Sequence, residues 1–267
     1  MPTIQTITSR HLASLQKLLQ KKHRDQERKF LIEGPHLVEE ALEAGCDLES
    51  VVLRTASLQL AKLQTMLDRI RKSQTPIFVA GAREFKKISE TVNSQGIVGV
   101  VKMQNVDPSN RWSNLPERAV VVALNNTSDP GNVGTIIRTC AWFGVSALLL
   151  DRGSVDIYNA KIVRSAMGAL FHLNIFPNCD LATDIAEAKK EKFIVYATAV
   201  DGDVILHRHD FPRRTLVVFG NEARGVDPLV GLLADRSVAI QKFGNGESLN
   251  VAVCCGIILH AVRYLQP

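Results

Sequence analysis

Residues 126–144 read Asn-Thr-Ser-Asp-Pro-Gly-Asn-Val-Gly-Thr-Ile-Ile-Arg-Thr-Cys-Ala-Trp-Phe-Gly, and the rest of the chain is organised around them. The run before them, residues 119–124 (Ala-Val-Val-Val-Ala-Leu), has the unbroken hydrophobicity of a parallel strand buried on both faces. Ser128, Asp129, Pro130 and Gly131 then combine turn residues with a helix start. Ile136, Ile137, Cys140, Ala141 and Phe143 follow at helical spacing, and Gly144 closes the helix. Strand, polar loop and helix in this order bring Asn126, Asp129, Asn132 and Arg138 to the carboxyl end of a strand, where open α/β sheets build their sites. On spacing alone the stretch is equally an ordinary strand-to-helix turn, with Asp129 as cap and Arg138 on a solvated face.

Working outward, 267 residues allow one or two domains with a real core. Cys46, Cys140, Cys179, Cys254 and Cys255 show neither Cys-x-x-Cys spacing nor paired His, so neither a metal site nor a disulfide framework is expected. They read as reduced thiols of a cytoplasmic protein. No apolar run is long enough to span a membrane. Residues 1–105 carry 16 Lys/Arg against 11 Asp/Glu, and residues 106–267 carry 16 against 16, so the whole excess of +5 lies in the first part. Such clustering is the footprint of a polyanion-binding module. The acid-free first 24 residues read as a folded, RNA-facing helix rather than a presequence, because Leu12, Leu15, Leu18 and Leu19 keep helical spacing.

In chain order, the pattern predicts a basic amphipathic helix over 10–24, a strand over 30–33, and a helix opened by Pro35 and stopped at Gly45. A strand over 50–53, a helix over 57–72, a strand over 76–80, a short helix over 83–89 and a strand over 97–102 complete a small α/β domain, residues 1–105. Residues 106–118, polar and without a period, are expected to be a linker, and residues 119–267 a second domain. There, after residues 126–144, strands are expected over 147–150, 173–176, 193–198, 215–219 and 238–241, helices over 161–169, 181–190 and 227–233, and a terminal apolar helix over 251–265.

Three stretches together carry a resemblance. Asn-x-x-Asp-Pro-x-Asn-x-Gly-x-Ile-x-Arg-Thr from Asn126, Phe-Gly-Asn-Glu-Ala-Arg-Gly from Phe219, and Ser-Leu-Asn-Val-Ala-Val from Ser248 resemble the three motifs of the SpoU/TrmH family. These are S-adenosylmethionine-dependent RNA ribose 2′-O-methyltransferases of the SPOUT superfamily. The resemblance implies a C-terminal α/β parallel-sheet domain with a deep trefoil knot. The Phe-Leu-Ile-Glu-Gly stretch ending at Gly34, and the run from Gln95 to Val101, are similar to the family's N-terminal substrate-recognition domain, an α/β RNA-binding fold like that of a ribosomal protein.

The same resemblance implies that Arg138 is the catalytic arginine, surrounded by Asn132, Glu222, Ser248 and Asn250. It implies that Thr198, Gly220, Asn221, Glu222, Ile240 and Leu249 line the S-adenosylmethionine pocket, and that the enzyme is a homodimer needing no metal. Gly220 and Gly225 suit close backbone approach to the cofactor. Arginine stays protonated, so Arg138 is expected to polarise the 2′-hydroxyl or hold a phosphate, with Glu222, Ser248 or water moving the proton. Lys21, Lys22, Arg24, Arg28 and Arg164 are the candidate RNA contacts. Ile240-Gln241-Lys242 departs from the family's frequent Ile-Pro-Met, and Cys140, Cys254 and Cys255 stand where small residues are usual. Ribosomal RNA is favoured as substrate; tRNA, and a non-catalytic RNA-binding protein of the same fold, are the alternatives. A dinucleotide oxidoreductase is disfavoured by the lack of a Gly-x-Gly-x-x-Gly after the first strand.

Overall fold

The computed structural model describes residues 4–59, 61–112, 115–206 and 209–266. The chain divides into two compact units, Met1–Asn105 with Tyr158–Phe171, and Val106–Ile157 with His172–Pro267.

The first unit holds a five-stranded sheet of β1 (Gln5–Thr6), β2 (Lys29–Glu33), β3 (Leu48–Arg54), β4 (Ile77–Ala80) and β5 (Ile97–Lys102), in the order β1-β4-β3-β5-β2. β1, β4 and β3 run parallel, and β5 runs antiparallel to both β3 and β2. Two residues are too few to show a period, which is why β1 is invisible to pattern reading. The helix expected over 10–24 is two helices, α1 (Ser9–Lys17) and α2 (Lys21–Glu27). Leu12, Leu15 and Leu18 pack against Val52, Val98 and Val100 of the sheet together with Phe85 and Ile88. The break between α1 and α2 is held by Arg24, whose Nη1 donates to the carbonyls of Leu18 (2.9 Å) and Leu19 (2.8 Å). Those are carbonyls that a helix end otherwise leaves without partners. α3 (Pro35–Glu43) packs on β2, β5 and α4 (Ala61–Lys72). A 3₁₀ turn over Thr55–Gln59 precedes α4, so that helix starts later than expected; residue 60 lies outside the described residues. α5 (Ala82–Phe85) is shorter than the expected 83–89.

The second unit is a seven-stranded, wholly parallel sheet. Its strands are β6 (Ala119–Leu124), β7 (Ala147–Asp151), β8 (Ile175–Cys179), β9 (Ile194–Thr198), β10 (Val204–Ile205), β11 (Arg214–Phe219) and β12 (Arg236–Ala239), in the order β10-β12-β9-β11-β6-β7-β8. β6 is buried along its whole length, as a strand covered on both faces must be. α6 (Pro130–Trp142) follows β6, while α7 (Ala160–Ser165), although it follows β7 in sequence, belongs to the first unit and packs against β2. One face of the sheet is covered by Leu181, Ile185 and Ala188 of α8 (Leu181–Lys190), with Trp112 beside them. After the short α9 (Pro228–Gly231), α10 (Val251–Tyr264) packs on α6, and Ile136, Ile137, Cys255, Ile258 and Leu259 between them are buried. Cys140 is buried at the same place, and burial pushes its thiol well above the ordinary range.

The stretch expected as a linker, 106–118, is docked on the second unit. Trp112 is buried, stacks edge-to-face on Phe193 at 5.4 Å, and donates from Nε1 to Glu187 (3.2 Å). Arg111 pairs with the buried Asp184 and lies over the Phe176 ring. One tryptophan and one buried ion pair anchor a segment whose composition is otherwise that of a loop; residues 113 and 114 lie outside the described residues. No helix among the described residues is long and apolar enough to cross a membrane.

Candidate active site

Parallel strands all end at one edge of their sheet, and the register aligns four of those ends. Leu124 of β6 pairs with Phe219 of β11, Ala197 of β9 with Val218, and Thr198 with Val238 of β12. The loops 125–129, 199–203, 220–227 and 240–250 therefore leave from neighbouring positions. Asp129 caps α6, its Oδ1 accepting from the Asn132 amide at 2.8 Å, as the cap reading of the sequence requires.

Two residues outside the predicted set hold these loops. The Asp151 carboxylate at the end of β7 accepts from Asn125 Nδ2 and from the Asn126 amide on Oδ2, both 2.9 Å, and from Ser154 Oγ (2.7 Å) on Oδ1. Buried Asn125 uses its other end, Oδ1, to accept from the Asp227 amide at 2.7 Å. Asn126 takes a left-handed φ of 54°, which Asn tolerates better than most residues. The one signal available was the Asn125-Asn126 doublet directly after a buried strand.

The loop after β11 closes on itself. Asn221 and Gly225 exchange both backbone hydrogen bonds at 2.9 Å, and Asn221 Oδ1 accepts from the amides of Ala223 (3.0 Å) and Arg224 (3.2 Å). Asn221 Nδ2 donates to the Asn126 carbonyl at 2.9 Å. Gly220 is demanded by this closure rather than by an open approach: a Cβ there would stand 2.0 Å from the Gly225 carbonyl carbon.

The three motifs meet in one hydrogen-bonded chain. Asn132 Nδ2 donates to Glu222 Oε1 at 3.0 Å, and Asn250 Nδ2 donates to Asn132 Oδ1 at 2.9 Å. Asn250 also caps α10, its Oδ1 accepting from the amides of Ala252 (2.9 Å) and Val253 (3.3 Å). Asn250 is thus the cap of α10, and Asp227 caps α9. Arg138 lies on the exposed side of α6 and its guanidinium makes no hydrogen bond or ion pair among the described residues; the Ser248 side chain is likewise exposed and unpartnered.

A cofactor would find mixed surfaces here. Thr198 and Ile240, at the ends of adjacent strands, are half-buried, Leu249 is exposed, and the loop 241–250 is exposed throughout. That combination suits a flat heteroaromatic ring with polar edges. No group of three His, Cys, Asp or Glu side chains able to hold a metal is found among the described residues.

The cations expected at RNA separate by environment. In the first unit Lys22 is exposed, Lys21 pairs with Asp25 at 2.6 Å, and the Arg28 guanidinium makes long, exposed contacts of 3.4 Å to Gln104 and Asn105. Arg24 is 7% exposed and engaged on backbone carbonyls, so its role is structural. Arg164 is half-buried, beside a small pocket that Glu33 and Glu90 also line.

Known proteins resemble this chain along nearly its whole length. The profile of the SpoU rRNA Methylase family matches residues 119–260, and that of the MRM3-like substrate binding domain matches residues 10–99. The 23S rRNA (guanosine(2553)-2′-O)-methyltransferase RlmP of Bacillus subtilis is 29% identical over 98% of this chain and 100% of its own length. The 23S rRNA (uridine(2479)-2′-O)-methyltransferase of Streptomyces viridochromogenes is 29% identical over 98% of this chain and 93% of its own. The S-adenosylmethionine-bound rRNA methyltransferase of Sinorhizobium meliloti superposes with a TM-score of 0.84 at 26% identity, over 98% of both chains.

Proposed function

As this chain belongs to the SpoU rRNA methylase family, we propose that it transfers the methyl group of S-adenosylmethionine to a ribose 2′-hydroxyl of ribosomal RNA. It is an RNA ribose 2′-O-methyltransferase. The observation that carries the reading is the chain Glu222–Asn132–Asn250, which joins all three motifs.

S-adenosylmethionine supplies a methyl already activated on a sulfonium. Thr198, Gly220, Asn221, Ile240 and Leu249 hold it at the ends of β9, β11 and β12. Arg138 polarises the 2′-hydroxyl or grips the adjoining phosphate bidentately, because a guanidinium does not give up its proton at neutral pH. Glu222, or Ser248 with water, carries the hydroxyl proton away. Asn132 and Asn250 keep Glu222 in place.

Residues 1–105 form the RNA-binding domain, of a ribosomal-protein-like fold, with Lys21, Lys22 and Arg28 toward RNA. The loops after β11 and β12 form the trefoil knot. In support, β12 is inserted between β9 and β10, so the β11–β12 connection must pass the β9–β10 connection. Two copies pair through α6 and α10, which expose Trp142 (85%), Val253, Ile257 and Tyr264 together. Five free cysteines favour a reducing, cytoplasmic setting.

The test is transfer of labelled methyl from S-adenosylmethionine to total RNA by the wild type and Arg138→Ala, with mapping of 2′-O-methyl positions. Label at one ribosomal position, lost in the variant, is expected. Label confined to tRNA moves the substrate; cofactor binding without transfer to any RNA favours the non-catalytic reading.

A further inference from the structure

The loops of the second unit present two arginines, Arg152 and Arg224, whose side chains have been given no role above. We propose that Arg152 and Arg224 form a backbone clamp that holds RNA phosphates flanking the target ribose; this rests on the RNA-methyltransferase reading. Arg152 and Gly153 occupy the centre of a four-residue turn closed by the Ser154 amide on the Asp151 carbonyl (3.2 Å). Arg224 stands in the turn closed by the paired backbone bonds of Asn221 and Gly225.

Both turns are tied to one residue. Asn126 donates its amide to Asp151, accepts from Asn221 Nδ2 on its carbonyl, and packs against Gly153, where an added Cβ would come 1.9 Å from Asn126 Oδ1. Arg152 and Arg224 are therefore carried on two cross-braced turns flanking the first motif. Both side chains are exposed, and among the described residues neither guanidinium makes an ion pair or hydrogen bond. The neighbouring carboxylates are otherwise engaged: Asp151 with three donors, Glu222 with Asn132, Asp227 with the Leu229 amide. Unneutralised, planar guanidiniums on a rigid base match the two non-bridging oxygens of a phosphate diester, and the fixed turns leave only side-chain freedom to lose on binding. Two open cations on turns braced against the first motif suit a polyanion lying across these strand ends.

The experiment compares wild type, Arg152→Ala, Arg224→Ala, the double variant, and Lys190→Ala as an exposed cation on α8. Binding of a mixed-sequence 20-nucleotide single-stranded RNA is followed by fluorescence anisotropy over a KCl series, S-adenosylmethionine binding by calorimetry, and methyl transfer to 23S rRNA in single turnovers. Each arginine variant is expected to weaken RNA binding about 5- to 10-fold at 100 mM KCl. Each should flatten the salt dependence by roughly 0.7 in log–log slope, with the double variant adding the two. Cofactor affinity and Lys190→Ala binding should stay at wild-type values, and the rate at saturating RNA within about twofold. Unchanged affinity and slope in the double variant would overturn the clamp, as would weakened cofactor binding, which would assign Arg224 to the cofactor instead. If wild type binds the RNA but methylates none, the catalytic reading fails, while the affinity and slope comparison still decides the clamp.

Discussion

Asn132 and Asn250 lie 118 residues apart in sequence and share a hydrogen bond of 2.9 Å. Their amide orientations are dictated from both ends. Glu222 presents a carboxylate that only accepts, so Asn132 must turn its NH₂ toward it and its oxygen toward Asn250. The backbone amides of Ala252 and Val253 only donate, so Asn250 must give them its oxygen and keep its NH₂ for Asn132. One arrangement satisfies every member, and it couples the first, second and third motifs.

Asn132→Asp replaces the donor facing Glu222 by a second carboxylate oxygen. Methyl transfer is expected to fall roughly 100-fold, the scale of a small misplacement at a reacting centre, with the far-ultraviolet dichroism unchanged. Single-turnover transfer within twofold of wild type would show that the chain is not needed to place Glu222.

Asp151→Ala strands three donors in a partly buried site. It should cost about 2–3 kcal/mol of stability and lower methyl transfer by more than Ser154→Ala, which removes only one of the three bonds. Urea denaturation and single-turnover rates measured side by side would reveal equal effects if Asp151 merely fills space.

Arg24 and Lys22 are near neighbours in sequence and opposite in consequence. Arg24→Ala opens the Leu18 and Leu19 carbonyls at a buried site and should destabilise the chain by about 2–3 kcal/mol. Lys22→Ala should leave the melting temperature unaltered and weaken RNA binding about threefold to fivefold, with a shallower salt dependence. RNA affinity lost in Arg24→Ala without any loss of stability would contradict the structural role.

Ile257→Glu and Trp142→Glu place charges in the exposed apolar patch of α10 and α6. Light scattering should show the mass of two chains for the wild type and of one chain for each variant, with methyl transfer reduced. A wild type that runs as a single chain at micromolar concentration would remove the pairing.

The loop 126–131 was legible because its residues are chosen by local chemistry: Asp129 caps α6 and Pro130 starts it, as their order predicts. The strands β6 and β11 and the helices α6, α8 and α10 were legible for the same reason, since apolar period and end signals act within about ten residues. Arg24 was misread because the basic run around it looks alike from outside; only the break between α1 and α2 decides which cation turns inward. Asn125 and Asp151 were missed because a polar residue at a strand end means nothing until its partner on the neighbouring strand is known.

The sequence by itself determined most of the longer elements, the family and the three motifs, because each of these is written in short-range pattern. The tertiary structure alone decided that Asn250 would reach Asn132, that β12 would enter between β9 and β10, and that Tyr158–Phe171 would join the first unit. Those outcomes depend on strand order and on contacts across a hundred residues, where the path of the whole chain, rather than any local preference, sets which side chains meet.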